Sequence, residues 1–382
     1  MTDRFVIERV GQRKGDPVLL ALLVVMLGVG LASLLSASYN WAQQLYGDPF
    51  RLVVRQSIFI AVGIVIAVVA SRVPLRLIRV AIPYALVGVM VLMVLTFIPG
   101  MGEEYLGARR WIILFGQSFQ PSELVKLVLV IYLAHILNKK QQALDDTVNS
   151  VLPPLIVVGA FGALIYVQND FSTAVFVILV SLLMFFVAGV RLRFFLGLLL
   201  VAGPLSAILL LTRQHRVLRL VAFLNPEIDR FGSGYQVLAA QRALENGGLW
   251  GAGVGQSMQK FGALPEPHSD FVFAIFGEEM GFIGVAAVLA IFVAVAVRGY
   301  SLAFRSKDSF NSLLAFGLTS MLVLQALLNM AVVCGLVPAT GIPLPFFSHG
   351  GSAVLISLVM GGLLLNVARV EGADRQSEEH DG

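Results

Sequence analysis

Ten apolar windows long enough to cross a membrane recur along this chain, and they decide its architecture before any other feature. Each approaches the roughly 17 to 25 residues that a hydrocarbon core requires of a helix. They fall near residues 17–38, 52–71, 77–98, 120–137, 150–168, 171–189, 194–211, 271–297, 310–334 and 351–368. No water-soluble fold could cover them, because only 13% of the 382 residues are charged, against about 25% in an average soluble domain. Inside a bilayer each backbone N–H and C=O must be satisfied within its own segment, so the windows predict helices. The expected fold class is an all-α integral membrane protein of ten transmembrane helices. The first window follows Arg4, Arg9, Arg13 and Lys14, as the core of a signal peptide would. It exceeds the ~7 to 15 residues of such a core and further spans follow, so it is read as an uncleaved helix.

An even number of spans puts both ends of the chain on one side. Lys and Arg number sixteen in the connections on that side and four in the opposite short connections, so the positive-inside rule makes both termini cytoplasmic. The chain then divides into a cytoplasmic N-terminal tail (1–16), a polytopic membrane domain (17–368) and a cytoplasmic C-terminal tail (369–382). A large extracytoplasmic loop, 212–270, joins helices 7 and 8, and a loop of that length usually carries function. It has helical content of its own, since Tyr235 to Glu245 lacks Gly and Pro and stops at Asn246-Gly247-Gly248, a good helix terminator. The rest of a +4 net charge is scattered, which excludes nucleic acid as a partner. A single cysteine, Cys334, excludes an intrachain disulfide, and no Cys/His cluster has zinc-ligand spacing.

Charges within spans are costly, by about 2.5 to 3.5 kcal/mol on insertion scales, and mark candidate sites. Lys126 lies about six residues into the fourth span and Glu278 eight residues beyond Asp270, so at 1.5 Å per residue both sit ~9 to 12 Å below the outer surface. Two readings follow: an ion pair between Lys126 and Glu278, with Glu279 as the alternative partner, or a buried wall beneath an anion site. Arg109 and Arg110 put adjacent guanidinium groups on the outer surface, where they suit phosphate or anchor the interface beside Trp111. Asp170, in the short outer turn Gln168-Asn169-Asp170, is an expected N-cap of the sixth helix. Trp250-Gly251-Ala252-Gly253-Val254-Gly255 follows no strand, so it is refused as a dinucleotide fingerprint and read as a flexible loop. Leu264 to Phe271 is the most polar stretch touching a span from outside, and Asp270 stands where the eighth helix should begin, the place of an N-cap. The last outer connection, Gly341 to Ser352, is too rich in Pro and Gly for a helix. Irregular backbone at that depth survives where protein buries it or where it lines a cavity.

Taken together, Gly107 to Ile112, Gln120 to Lys126, Gly232 to Gln236, Leu264 to Phe271 with Gly277-Glu278-Glu279, and Pro343 to Ser352 closely resemble the SEDS family of RodA and FtsW. The likeness runs from about residue 16 to 368, and Gly255 to Lys260 with Gly277-Glu278-Glu279 resemble the FtsW and SpoVE branch. The resemblance implies a peptidoglycan glycosyltransferase of the bacterial cytoplasmic membrane. It would polymerise lipid II at the outer face and work with a class B penicillin-binding protein and other divisome or elongasome membrane proteins. Asp270 matches the family's catalytic aspartate in its motif, and the reaction it implies is an inverting transfer without a covalent intermediate. Arg109, Arg110 and Lys126 would hold the pyrophosphate, and Gln120, Ser122, Glu266, His268 and Ser348 would make further substrate contacts. Asp170, Glu278 and Glu279 would be buried structural groups. A divalent cation, Mg or Mn, suits such chemistry, although no dedicated ligand set is visible. Two positions depart from the family: His349 stands where members often carry Tyr, and Gly262 where division-type members are often acidic. The rival readings are a lipid II flippase without chemistry and a non-catalytic scaffold for a transpeptidase.

Overall fold

The computed structural model describes residues 15–105, 108–114, 116–144, 146–225, 233–261 and 269–381. The membrane helices are α1 (Pro17–Tyr46), α2 (Arg51–Ala70), α3 (Leu75–Leu95), α4 (Pro121–Lys139), α5 (Leu152–Val167, entered through a π-helical turn Thr147–Val151), α6 (Phe171–Val187) and α7 (Leu192–Leu211). Two short helices follow, α8 (Gln214–Leu224) and α9 (Ser233–Gly247), then α10 (Val272–Arg305), α11 (Ser309–Val333) and α12 (Gly351–Asp381). Among the described residues nine helices are long and apolar enough to span a membrane, and α6 is a shorter apolar tenth. The ten expected windows are therefore all helical. The last helix runs well beyond residue 368 into the expected tail.

Local signals explain most boundaries. Asp16 caps α1, with Oδ1 accepting from Val18 N and Leu19 N at 2.9 and 3.0 Å, and Asp308 caps α11 through Phe310 N at 2.8 Å. Helices α4, α11 and α12 form the centre, with 67 to 78% of their spans buried, whereas α7 buries no residue. One end of the bundle gathers Asp16 with Arg298 (3.7 Å), Arg79 with Asp308, and Asn311 with Glu371 (3.4 Å). The start of α1 and the end of α12 thus share one side, as an even number of spans requires.

Two features depart from the sequence reading. The connection between α3 and α4 is an antiparallel sheet, β1 (Gly102–Tyr105), β2 (Ala108–Leu114) and β3 (Gln117–Phe119), in the order β1-β2-β3. Ile112 is buried while Ile113 is exposed, the two-residue alternation of a half-buried strand. The glycine-rich segment after α9 is not a flexible loop. α10 breaks at Gly281 (φ 66, ψ −170), and residues 248–253 dock into the break. Ala252 N and Gly253 N donate to the Glu278 and Glu279 carbonyls at 2.9 and 3.1 Å, while Phe282 N and Ile283 N donate to the Gly248 and Leu249 carbonyls at 2.8 and 3.3 Å. Four of the backbone groups freed by the break are thereby paired, as burial at this depth demands. The two chains approach so closely that a Cβ at Gly251 (φ +85) would run into the Glu279 carbonyl, and one at Gly281 into Gly251 N. Glycine is needed at both crossing points for space as well as for conformation.

Candidate active site

A cavity of about 1160 Å³ opens beside the sheet, α6, α8 and the connection that follows α11. Asp270 sits on its wall, two residues before α10. The helix is capped at Phe271 with no side-chain bond, so Asp270 is not the N-cap that its position suggested. Its backbone carbonyl accepts from Asn329 Nδ2 at 2.9 Å, and the same amide group donates to the Ile342 carbonyl at 2.9 Å. Asn329, 1% exposed in α11, therefore pins Asp270 to the connection that follows α11. Ser269 Oγ donates to Asp270 Oδ1 at 3.1 Å, and Gly341 leaves the other carboxylate oxygen room, since a Cβ there would lie 3.4 Å from it. That connection walls the cavity with Thr340, Gly341, His349 and Gly350, as its composition led one to expect. Its irregular backbone is satisfied by side chains from the spans: Gln325 Nε2 donates to the Pro343 carbonyl (2.8 Å), and Gln56 bridges the Ser348 carbonyl (3.2 Å) and Gly350 N (3.2 Å).

Asp170 caps α6 through Thr173 N at 3.2 Å, as expected, and it also faces the cavity. There it meets Arg110 Nη1 at 3.6 Å and Gln120 Nε2 at 3.4 Å. Arg110 further donates to the Asn169 carbonyl (3.1 Å) and lies 5.7 Å above the Trp111 ring. Successive strand residues point to opposite faces, so the two neighbouring arginines part company: Arg110 lines the cavity, while Arg109 is exposed and does not.

The expected pair between Lys126 and Glu278 is not formed. Lys126, 1% exposed, bonds Glu123 Oε1 at 2.7 Å and Gln325 Oε1 at 2.9 Å. The i,i+3 spacing places Glu123 on the same face of α4, so its partner is local rather than across the bundle. Glu278 instead accepts from Asn246 Nδ2 (3.2 Å), Ser257 Oγ, Met258 N (3.2 Å) and Gln259 N (3.3 Å). Glu279 accepts from Lys260 Nζ (3.1 Å) and Ser36 Oγ (2.6 Å). Both glutamates clamp the segment after α9 to α10 and α1, and neither lines the cavity.

Of the other expected contacts, Gln120 lines the cavity, with its N–H donating to Ser352 Oγ at 2.8 Å. Ser122 is buried beneath it and accepts from Gln120 Nε2 at 3.0 Å. Ser348 is buried behind the wall, accepting from Leu344 N at 2.9 Å. Glu266 and His268 lie outside the described residues. Among the described residues no group of three or more His, Cys, Asp or Glu could hold a metal ion.

Sequence reading missed three cavity arginines. Arg55 of α2 donates to Ser118 Oγ at 2.9 Å. Arg216 and Arg219 of α8 face inward, Arg216 stacked over Tyr166 and Phe171 at 4.4 and 5.3 Å. Burial, then the like charge of Arg110, push the Arg219 guanidinium below its ordinary value, and Asp270 and Asp170 pull it back. The i,i+3 spacing of Arg216 and Arg219 among apolar residues was the signal that could have found them.

Residues 17–372 match the family of cell cycle proteins that groups FtsW, RodA and SpoVE. The chain is 39% identical over 360 residues to a probable peptidoglycan glycosyltransferase FtsW of Geobacter sp. (strain M18), covering 94% of this chain and 98% of that one. It is 38% identical to the stage V sporulation protein E of Bacillus subtilis (strain 168), covering 93% and 97%. Among solved structures it resembles a chain of a peptidoglycan synthase complex that coordinates polymerization and crosslinking, with a TM-score of 0.75, 26% identity and coverage of 94% and 98%. It also resembles the rod shape determining protein RodA of Thermus thermophilus, with a TM-score of 0.69, 26% identity and coverage of 93% and 97%.

Proposed function

This chain belongs to the FtsW, RodA and SpoVE family and is a multi-pass membrane peptidoglycan glycosyltransferase, and we propose that it polymerises lipid II at the outer face of the bacterial cytoplasmic membrane, with both termini in the cytoplasm. The observation that carries this reading is the juxtaposition in one cavity of a carboxylate and several guanidinium groups. Asp270 is held through its backbone by Asn329, and Arg55, Arg110, Arg216 and Arg219 line the same cavity. A polyprenyl-pyrophosphate-linked sugar needs both kinds of group.

Asp270 takes the proton from the attacking sugar hydroxyl of one substrate while that oxygen bonds to the anomeric carbon of the other. The bond from that carbon to the pyrophosphate breaks with inversion, and its electron pair leaves with the lipid pyrophosphate. General-base help of this kind contributes about 10² to 10⁴ in rate. Cations aimed at the departing oxygen stabilise the developing charge. Arg110 supports that role better than Arg109 or Lys126, because Arg109 points away and Glu123 neutralises Lys126. The similar chain in a synthase complex of polymerization and crosslinking supports a class B penicillin-binding protein as partner.

The test is glycan synthesis by purified protein from lipid II, alone and with such a partner. Since Asp270 caps no helix, Asp270→Asn should fold and bind lipid II as the wild type does, while polymerisation falls by about 10² or more. Robust glycan synthesis by a well-folded Asp270→Asn protein would remove Asp270 from the chemistry. Transbilayer movement of lipid II without lengthening would favour a flippase.

A further inference from the structure

We propose that Arg216 and Arg219 of α8, together with Arg110 of β2, form the diphosphate-binding site of the cavity. Arg216 is 6% exposed and lines the cavity, yet its Nε and Nη2 meet no hydrogen-bond partner. A buried guanidinium N–H without a partner is costly, and here the orientation is fixed from the other side. Nη1 donates to the Leu209 carbonyl at 2.9 Å, and the plane rests against Tyr166 and Phe171. Among the described residues the Nε and Nη2 groups of the fork are thus held in place with no hydrogen-bond partner. Arg219, one turn further along α8, lines the same cavity as Arg110, Arg216, Asp170 and Asp270, which puts the arginine group in the cavity that holds the carboxylate of the transfer reaction.

The balance of charge points to the class of ligand. The described cavity lining carries four arginines against Asp170, Asp270 and Glu123, and Glu123 is already matched by Lys126 behind the wall. Two positive charges remain, equal to the two negative charges of a diphosphate diester. A phospholipid phosphodiester would leave one unmatched. Planar guanidinium forks bind phosphate oxygens in pairs. The neighbouring wall is apolar, with Val175, Leu179, Leu210 and Leu220, as a lipid carried on that diphosphate would need. The inference rests on the glycosyltransferase reading for the identity of the amphiphile, and it keeps Arg110 in the leaving-group site but replaces Arg109 and Lys126 with Arg216 and Arg219 of α8.

The experiment measures displacement of labelled lipid II from detergent-purified full-length protein by farnesyl pyrophosphate, farnesyl monophosphate and phosphatidylglycerol. Melting temperatures of all variants are recorded alongside. Wild type should prefer the diphosphate over the monophosphate by about tenfold or more, the worth of one extra charge-assisted hydrogen bond. Arg216→Lys keeps the charge but loses the stacked fork, and Arg219→Gln loses the charge. Each should abolish most of that preference, and Asp270→Asn should retain it. If Arg219→Gln melts early, Arg219→Lys takes its place. Folded Arg216→Lys and Arg219 variants with the wild-type preference would overturn the proposal. So would displacement by phosphatidylglycerol as effective as that by farnesyl pyrophosphate. Wild-type protein that polymerises lipid II but does not discriminate diphosphate from monophosphate would sink this inference and leave the glycosyltransferase reading standing. A preference carried by Arg216 and Arg219 in protein that never lengthens lipid II would do the reverse.

Discussion

Glu278→Ala should destabilise this protein through a loop rather than through a partner in another span. The carboxylate is 1% exposed and accepts from four donors, Asn246 Nδ2, Ser257 Oγ, Met258 N and Gln259 N. A hydrogen bond to a charged group contributes about 1.5 to 3 kcal/mol, but the two backbone donors are partly buried and water can replace some of what is lost. The net cost is therefore put at about 3 to 5 kcal/mol, the size of a broken buried ionic contact. Each kcal/mol moves Tm by about 2 to 4 °C in a domain of 150 to 250 residues, and by less in a larger one, so a fall on the order of 5 °C or more is expected. Circular dichroism melts in detergent would read it. Glu278→Gln should fall between, because one oxygen can still accept while the new amide N–H opposes a donor. Activity should drop further than stability, since the segment that Glu278 holds leads directly to Asp270. A Glu278→Ala protein that melts with the wild type would refute the interlock as a stabilising contact.

Lys126→Ala should cost about 3 to 5 kcal/mol, because it strands Glu123 in the core. In double-mutant cycles it should couple to Glu123→Gln and add independently to Glu278→Ala, within the ~0.3 to 0.5 kcal/mol usual for separated sites; strong coupling to Glu278 would restore the pairing read from sequence. For orientation, single cysteines at Gln44 and Gln142 in a Cys334→Ala background should differ in reactivity. Gln44, at the end of α1 away from the Asp16 cluster, should react with an impermeant thiol reagent added outside, and labelling of Gln142 from that side would invert the topology.

The spans were legible because hydropathy over some twenty residues is a property of the segment alone. Caps were legible for a similar reason: Asp170 reaches Thr173 three residues on, and Asn246-Gly247-Gly248 ends α9 where composition said it should. Partners across the bundle were not. Residue counting puts Lys126 and Glu278 at one depth, but a count says nothing about the angle around a helix axis, and each found a nearer partner. Trp250 to Gly255 misled for a different reason. Its glycines answer to close approach by α10, and that helix is broken at a residue, Gly281, which carries no signal of its own inside an apolar run. The sheet at 102–119 was hidden by shortness, since strands of three to seven residues hardly register against the long apolar spans on either side.

The polar residues inside the spans sort by what their neighbouring backbone needs. Where α10 breaks, main-chain groups of residues 248–253 supply the missing pairs. Where the chain runs irregularly after α11, no second strand is available, and Gln56, Gln325 and Asn329 supply them from three positions. Bare amide groups at membrane depth would otherwise cost several kcal/mol each, so these side chains follow from the irregular path rather than from contact with substrate. Asn329 does both jobs with one amide nitrogen, because its second bond goes to Asp270. The consequence is directional. Replacing Asn329 by Asp would remove two donors at once and let the last connection and the Asp270 segment part, whereas Gln325 touches the same connection without touching Asp270. If Asn329 positions the base, kcat should fall with Asn329→Asp far more than with Gln325→Glu at matched loss of stability. Equal losses would mean that both amides serve the fold alone.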